Sequence, residues 1–265
     1  MTIPATARRA WSNLPHPVLS AVLEHTGNIH CATPVSEGMN STVACVVQAK
    51  AGTFFVKAAP SDHPYARLDT EAAINPFVVP LSPTLRWRAD THRWNVLAFD
   101  YVPGRPADLS PNSPDLPLVA QAVTRLGTLR VPSRLLQPVS KLFPGADAGE
   151  LAQLDGDAPI HADLNPHNFL ILGTAQVVDW ASPSRASAWL EVALLLLRLI
   201  DAGHTPDAAN VWAQQFDCWR TAPEGAVATH AGISAKEWRA AAEGTPRTWI
   251  RSLAVAADRW MTFVC

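Results

Sequence analysis

The sequence is poor in charge and has no long apolar run. Charged residues make up 17% of its 265 residues and the formal net charge is −2, so it lacks the basic footprint of a nucleic-acid-binding protein. The most apolar run, Ala188–Ile200, is too short for a membrane span and contains Glu191 and Arg198. It therefore predicts a buried helix. We expect neither nucleic acid nor a membrane as a partner.

Cysteine is also scarce. The four cysteines are scattered, and no pair has the spacing of metal ligands. The first residues lack the apolar core of a signal peptide, which with the scattered cysteines predicts a reducing, cytoplasmic location. The chain is 48% hydrophobic and holds 23 prolines. This composition is typical of a folded, loop-rich protein with one large domain or two modest lobes.

The stretch from about Asn28 to Ala59 alternates β-branched or aromatic residues with small or polar ones, which predicts strands. Lys50-Ala51-Gly52 marks a hairpin turn between two of them. A helix is expected over 62–74, where Ala, Leu and Glu replace the β-formers. The predicted strands are Ile29–Val35, Ser41–Gln48, Thr53–Ala58, Leu85–Arg88 and Trp94–Phe99. Together they form a five-stranded antiparallel sheet with one helix.

The pattern changes at Val102-Pro103-Gly104-Arg105-Pro106 and becomes mainly helical. Helices are predicted over 116–130, 187–202, 206–220, 234–243 and 246–262. One exception is a short hairpin over 168–179 with Gly173 at its turn. We therefore predict an α+β fold with a β-rich lobe over 1–99, a linker over 100–106 and a mainly α-helical lobe over 107–265.

The segment 161–168, with sequence HADLNPHN, contains the candidate catalytic residues. Asp163 follows His161 and precedes Asn168 by five residues, the spacing of a kinase catalytic loop. In such a loop the Asp accepts the proton of the attacking hydroxyl and the Asn binds magnesium. Asp179 lies just past the predicted hairpin, where its carboxylate could bind the metal that bridges the phosphates.

Two other interpretations of this segment stay open. Any one of these residues taken alone also fits an N-cap or a turn. His161, Asp163 and His167 could instead form a metal cluster, although that interpretation explains neither Asn168 nor the hairpin.

Nucleotide-binding residues are predicted in the first lobe. Lys57 lies in an apolar strand, where a charge is costly unless it faces a partner or a ligand. Glu71, on the following helix, is its natural partner, and the alternative is an ordinary surface lysine beside a solvated glutamate.

Two further segments are candidates for contacts with the nucleotide. The segment 36–41 offers Gly38, Asn40 and Ser41 to phosphate oxygens, or is a plain hairpin turn. The main chain from Asp100 to Val102 could pair with the edge of the base.

Taken in this order, these residues resemble the aminoglycoside phosphotransferase and choline kinase family. The similarity covers roughly 34–200, and its most specific part is HADLNPHNFLI followed by VVDWASP. The resemblance implies a bilobal protein-kinase-like fold with ATP or GTP in the cleft. It also implies Mg²⁺ on Asn168 and Asp179, Asp163 as the base, and Lys57 with Glu71 as the phosphate-clamping pair.

The chain departs from the family pattern at two positions close to this segment. Ala162 replaces the usual Gly, and Glu191 stands where an Asp normally supports the catalytic loop. The family also implies a hydroxyl-bearing small-molecule acceptor, such as an aminoglycoside or another cationic or hydroxylated metabolite or antibiotic. A role in antibiotic resistance is an analogy at the level of the fold.

Three questions of function stay open at this stage. A nucleotide-binding pseudokinase that acts through partners is an alternative to an active enzyme, and a protein kinase is a weaker one, since no Ala-Pro-Glu segment follows Asp179. The tryptophans of the second half are expected either to form core or, with acids such as Asp201, Asp207 and Asp217, to hold a cationic acceptor.

Overall fold

A computed structural model describes residues 10–35, 41–63, 67–91 and 93–265. These residues form two compact units. The sheet unit comprises the described residues up to Arg105 together with Leu170–Ala181. The helical unit comprises Pro106–Phe169 and Ser182–Cys265. The lobe boundaries expected from the sequence stay a prediction.

The sheet unit is built on one antiparallel sheet, as predicted. Its strands are β1 (Ile29–Pro34), β2 (Val43–Ala49), β3 (Gly52–Pro60), β4 (Leu85–Thr91) and β5 (Trp94–Asp100). Their order is β1-β2-β3-β5-β4. The helices are α1 (His16–Thr26) and α2 (Leu68–Val78). The second begins and ends later than the predicted 62–74.

The two faces of the sheet pack against different helices. On one face, Val56 and Val96 pack in a core cluster with Val18 and Val22 of α1. The opposite face carries a second cluster, which includes Leu68 of α2. Side chains alternate between the faces along a strand, so the residues that flank Val56 point away from α1 and toward the α2 side.

The sequence-based prediction did not include α1, although its ends carry recognisable signals. Pro17 lies in the first turn, where its missing N–H costs no hydrogen bond. Gly27 follows the last residue with a φ of 66°, and its amide donates to Leu23 O at 2.8 Å. The helix completes the core because it covers the face of the sheet opposite α2.

The helical unit follows the predicted change in pattern. Its helices are α3 (Leu116–Leu126), α4 (Ala148–Leu154), α5 (Trp189–Asp201), α6 (Pro206–Ala213), α7 (Asp217–Arg220), α8 (Ala226–Ala242) and α9 (Thr248–Val264). Helix α5 is buried along most of its length, as its apolar sequence predicts. Within the described ranges, no helix is both long and apolar enough to cross a membrane.

The remaining strands are short and belong to two small sheets. They are β6 (Arg105–Pro106), β7 (Gln137–Pro138), β8 (Ala158–Ile160), β9 (Phe169–Leu172), β10 (Thr174–Val177) and β11 (Ser184–Ala186). The strand orders are β10-β9-β6 and β7-β11-β8. Strands β9 and β10 are the predicted hairpin, and Gly173 has a φ of 70° at its turn.

The helix predicted over 206–220 is wrong, because the structure divides it into α6 and α7. Phe216 has extended backbone angles, and its ring packs edge-on against Trp212 with 5.1 Å between centroids. This packing competes with helix continuation. Trp212 and Trp219 consequently lie on different helices, and they do not share the single helix face that their spacing suggested.

Candidate active site

Lys57 forms the centre of a buried ionic cluster within the sheet unit. Its Nζ donates to Glu71 at 2.9 Å (Oε1) and 2.7 Å (Oε2) and to Asp179 Oδ1 at 2.6 Å. Lys57 and Glu71 are both buried. The structure thus brings together three of the residues that the sequence proposed for nucleotide and metal binding.

Strand geometry explains how Lys57 meets Glu71. Lys57 is next to Val56 on β3, so its side chain leaves the sheet on the face that packs against α2. It lies opposite Ala44 on β2 and Leu97 on β5 in the strand register. Glu71 is in the first turn of α2. The alternation of β3 therefore aims the ammonium group at that helix.

Asp179 reaches the cluster because the end of the β9–β10 hairpin is tied to the loop after α2. The amide of Val177 donates to Leu81 O at 2.9 Å, and Trp180 Nε1 donates to Ser82 Oγ at 2.7 Å. Asp179 has a φ of 69°, in the left-handed region. Non-glycine residues held in this conformation concentrate at functional sites.

The Lys57 ammonium is shared between two carboxylates. Burial alone would lower the pKa of Lys57, but the charges of Asp179 and Glu71 outweigh burial and raise it. Burial raises the pKa of Glu71 to about 7, against the opposing effect of Lys57. The carboxylate oxygens of Asp179 are hard donors of the kind that bind a divalent cation. The oxygen donors suit magnesium.

The helical unit holds the segment 161–168 in a defined loop after β8. Asn168 Nδ2 donates to the carbonyl oxygen of Asp163 at 2.8 Å. The side chain of Asn165 accepts from the amide of His167 at 3.0 Å and so caps the short 3-10 turn Pro166–Asn168. Asn168 is buried, whereas the side chain of Asp163 is 49% exposed. The half-exposed carboxylate is the one available to an acceptor.

Glu191 supports this loop from α5. Its buried carboxylate accepts hydrogen bonds from the backbone amides of His161 and Ala162, the latter at 3.3 Å. Burial raises the pKa of Glu191 to about 7, although these two hydrogen bonds oppose the shift. Ala162 has a φ of 68°, a conformation in which the usual glycine is unstrained and alanine is not.

Arg198 also contacts the loop, and the sequence-based prediction did not include it. Its Nη2 donates to Asp163 Oδ1 at 3.3 Å. The available signal was a cation inside the apolar sequence of α5, which a buried helix accepts only where the charge has a partner.

The remaining residues predicted to contact the nucleotide are not part of this cluster. Gly38 and Asn40 lie outside the described residues, and Ser41 is buried next to them in sequence. Asp100 forms an ion pair with Arg86 at 2.5 Å, and its amide donates to Thr84 O. That amide is therefore engaged in the sheet unit. Val102 follows β5, lies outside any helix or strand, and is half-buried.

The structure does not support the alternative metal cluster. In the parts of the chain that the structure describes, no group of three or more His, Cys, Asp or Glu side chains is arranged to hold a metal ion. His161 is buried, and its Nδ1 accepts from the amide of Asp163 at 3.3 Å. The segment is a hydrogen-bonded loop that presents one carboxylate.

Three of the six tryptophans of the helical unit form core, one of the two expected roles. Trp189, Trp219 and Trp260 are buried, Trp212 and Trp238 are half-buried, and Trp249 is exposed. Trp219 and Trp260 are buried with 6.1 Å between ring centroids, and Trp219 Nε1 donates to Asn210. Two of the three acids considered with them have partners of their own. Asp217 pairs with Arg220, and Asp201 accepts from Ser252.

No protein-family model matches the sequence, and no curated protein matches it. Solved structures do match the fold. A thermostable mutant of aminoglycoside phosphotransferase APH(4)-Ia, in complex with ADP and hygromycin B, has a TM-score of 0.60 at 12% identity. The match covers 92% of this chain and 96% of that one.

Two further structures match over similar lengths. Aminoglycoside phosphotransferase APH(3'')-Id from Streptomyces rimosus, with ADP and streptomycin, has a TM-score of 0.54 at 17% identity, covering 92% of this chain and 97% of that one. A putative fructosamine-3-kinase from Haemophilus somnus has a TM-score of 0.59 at 10% identity, with the same coverage of each chain. The chain therefore has the α+β, protein-kinase-like fold of the small-molecule kinases, as its resemblance to the aminoglycoside phosphotransferases implied.

Proposed function

We propose that this chain is an ATP-dependent phosphotransferase that moves the γ-phosphate to a hydroxyl of a small molecule. The observation that carries the proposal is the cluster of Lys57, Glu71 and Asp179. A buried lysine held by two carboxylates contributes little to folding stability, because the free energy of removing the charges from water offsets much of their attraction. It is well suited to bind the phosphates of a nucleotide and their metal.

Each residue of the cluster has a role in the proposed reaction. Lys57 binds phosphate oxygens of ATP, and Glu71 keeps its ammonium in position. Asp179 would hold Mg²⁺ through its carboxylate oxygens, and Asn168 is the second metal-binding residue that the resemblance implies. When bound, the metal neutralises charge on the phosphates. ADP complexes of two matching structures support the use of an adenine nucleotide.

Asp163 acts on the acceptor. The acceptor oxygen attacks the γ-phosphorus, the bond from that phosphorus to the bridging oxygen breaks, and ADP leaves with the bonding electrons. The proton of the attacking hydroxyl passes to the Asp163 carboxylate. Glu191 and Asn168 hold the loop so that this carboxylate keeps one orientation.

An acceptor screen that measures ADP release tests the proposal. Purified protein with Mg-ATP is incubated with hydroxyl compounds of each charge class, aminoglycosides included, and Asp163→Asn gives the background rate. We expect at least one acceptor to raise ADP release, and Lys57→Met to lower the stimulated rate by a factor of 100 or more.

Lys50→Met is the matched control, because Lys50 is an exposed lysine in the turn between β2 and β3. It should retain the wild-type rate. If the protein binds Mg-ATP but none of the acceptors raises ADP release, the result would support the pseudokinase alternative and contradict the proposed reaction.

A further inference from the structure

Arg198 places a positive charge beside the carboxylate proposed as the catalytic base. Its Nη2 lies 3.3 Å from Asp163 Oδ1. The Arg198 side chain is 18% exposed and that of Asp163 is 49% exposed, so the pair is open to solvent mainly on the Asp163 side. An acceptor whose hydroxyl reaches Asp163 must therefore approach the guanidinium as well.

The Arg198 guanidinium also contacts an aromatic ring. Its central carbon lies 5.9 Å from the ring centroid of Trp238 on α8, within the range of a cation–π contact. Trp238 in turn meets Trp249 edge-on, with 6.2 Å between centroids, and Trp249 is among the exposed large apolar residues. A cation supported on a ring keeps its position when a ligand arrives.

Helix α5 contacts the loop through two side chains, Glu191 and Arg198. Glu191 and Arg198 are seven residues apart, which is close to two helical turns and places them on one face. Glu191 holds the loop backbone, and Arg198 contacts the loop carboxylate. The last turn of a helix favours a cation, but that preference alone does not direct Arg198 to Asp163.

We propose that Arg198 selects the acceptor by charge, and this inference rests on the proposed function. The acceptor class is a hydroxyl compound that carries a carboxylate or phosphate close to the hydroxyl it offers. The planar guanidinium has several N–H donors, and among the described residues Asp163 is its hydrogen-bonding partner. The further donors match the paired oxygens of a carboxylate or a phosphate.

The same charge disfavours polycationic acceptors. An ammonium group near the reacting hydroxyl would face Arg198 at short range, and like charges repel strongly where water is partly excluded. The acceptors that this site would favour therefore differ in charge from the cationic acceptors that the resemblance suggested.

A matched set of ligands tests the inference. Sorbitol, gluconate, sorbitol 6-phosphate and glucamine share a six-carbon polyol chain and differ in the charge at one end. Dissociation constants are measured by calorimetry in the presence of Mg-ADP, and KM and kcat are measured with Mg-ATP. We expect the two anions to bind at least tenfold more tightly than sorbitol, with glucamine the weakest.

Substitutions then assign the preference to Arg198. Arg198→Gln should abolish the advantage of the anions over sorbitol, mainly through KM, whereas Arg198→Lys should keep part of it. Arg220→Gln removes an equal charge from a surface ion pair of the same unit and should keep the wild-type order. The inference is overturned if gluconate and sorbitol 6-phosphate bind no more tightly than sorbitol to the wild-type protein.

The two proposals fail in different ways. If the protein phosphorylates glucamine better than gluconate, the charge inference is wrong and the kinase function stands. Suppose instead that no ligand is phosphorylated, but the anions bind more tightly than sorbitol and lose this advantage in Arg198→Gln. The charge inference then stands and the proposed reaction is wrong.

Discussion

The amide of Ala162 donates to Glu191 at 3.3 Å while Ala162 is held in the left-handed backbone region. The Glu191 side chain thus stabilises a left-handed backbone conformation that alanine disfavours. A left-handed alanine costs on the order of 1 kcal/mol more than a glycine. The strain lies one residue before the proposed base.

Replacing Ala162 with glycine should relieve this strain. We expect Ala162→Gly to raise the free energy of unfolding by up to about 1 kcal/mol, less the entropy that glycine adds to the unfolded chain. Urea denaturation measures the change. Ala240→Gly is the control, since Ala240 is exposed within helix α8, where glycine in place of alanine should lower stability by up to about 1 kcal/mol. A destabilised Ala162→Gly would show that its conformation carries no strain.

The buried Glu191 should make stability depend on pH. Its pKa is raised from an ordinary value of 4.5 to about 7 in the folded state, so the folded protein holds the proton more tightly than the unfolded chain. Stability from this group is therefore complete below pH 4.5 and is lost as pH rises toward 7. The shift corresponds to about 3 kcal/mol.

Glu191→Gln isolates this contribution because glutamine does not titrate. The difference in unfolding free energy between the wild type and Glu191→Gln should move in favour of the variant by about 3 kcal/mol from pH 4.5 to 7.5. Denaturation at a series of pH values provides the measurement. A difference that stays constant over this range would contradict the raised pKa.

Removal of the Glu71 carboxylate should impair nucleotide binding and turnover. Glu71→Ala leaves Lys57 with Asp179 as its remaining carboxylate in the cluster, so the ammonium loses one of two anchors. We expect kcat/KM for Mg-ATP to fall by roughly 10- to 100-fold. Glu24→Ala, at an exposed position on α1, is the matched control. Equal kinetics for the two variants would remove Glu71 from the nucleotide site.

Asp179 is expected to couple nucleotide binding to magnesium. Mg-ADP should raise the melting temperature of the wild type, and chelation of magnesium should abolish most of that increase. Asp179→Asn is the appropriate variant, because asparagine tolerates the positive φ of this position while removing the charge. Its melting temperature should respond equally to ADP with and without magnesium. A persistent magnesium effect would place the metal elsewhere.

The sequence predicted what depends on local pattern. Alternation in β3 placed Lys57 in a strand, and the order of Lys57, Glu71, Asp163 and Asn168 suggested the site before any coordinates. The hairpin around Gly173 was predicted because its turn needs a residue that adopts a positive φ readily. Such signals act over a few residues and are readable one segment at a time.

The contacts that the sequence could not supply join residues that are far apart in the chain. The Arg198–Asp163 contact depends on how α5 packs against the loop, and nothing near Arg198 in sequence identifies its partner. The break between α6 and α7 depends on the packing of Phe216 against Trp212, which overrides helix propensity. In both cases tertiary packing determines the outcome.

The hairpin that carries Asp179 belongs to the sheet unit, although its sequence interrupts that of the helical unit. The chain therefore cannot be cut at one point into its two units. Leu170–Ala181 lies between Pro106–Phe169 and Ser182–Cys265 of the helical unit, yet it belongs to the sheet unit. A fragment that ends at Arg105 would therefore retain Lys57 and Glu71 but lose the second carboxylate of their cluster. Gene fusion, circular permutation or domain exchange would have to carry this short segment along with the sheet that it serves.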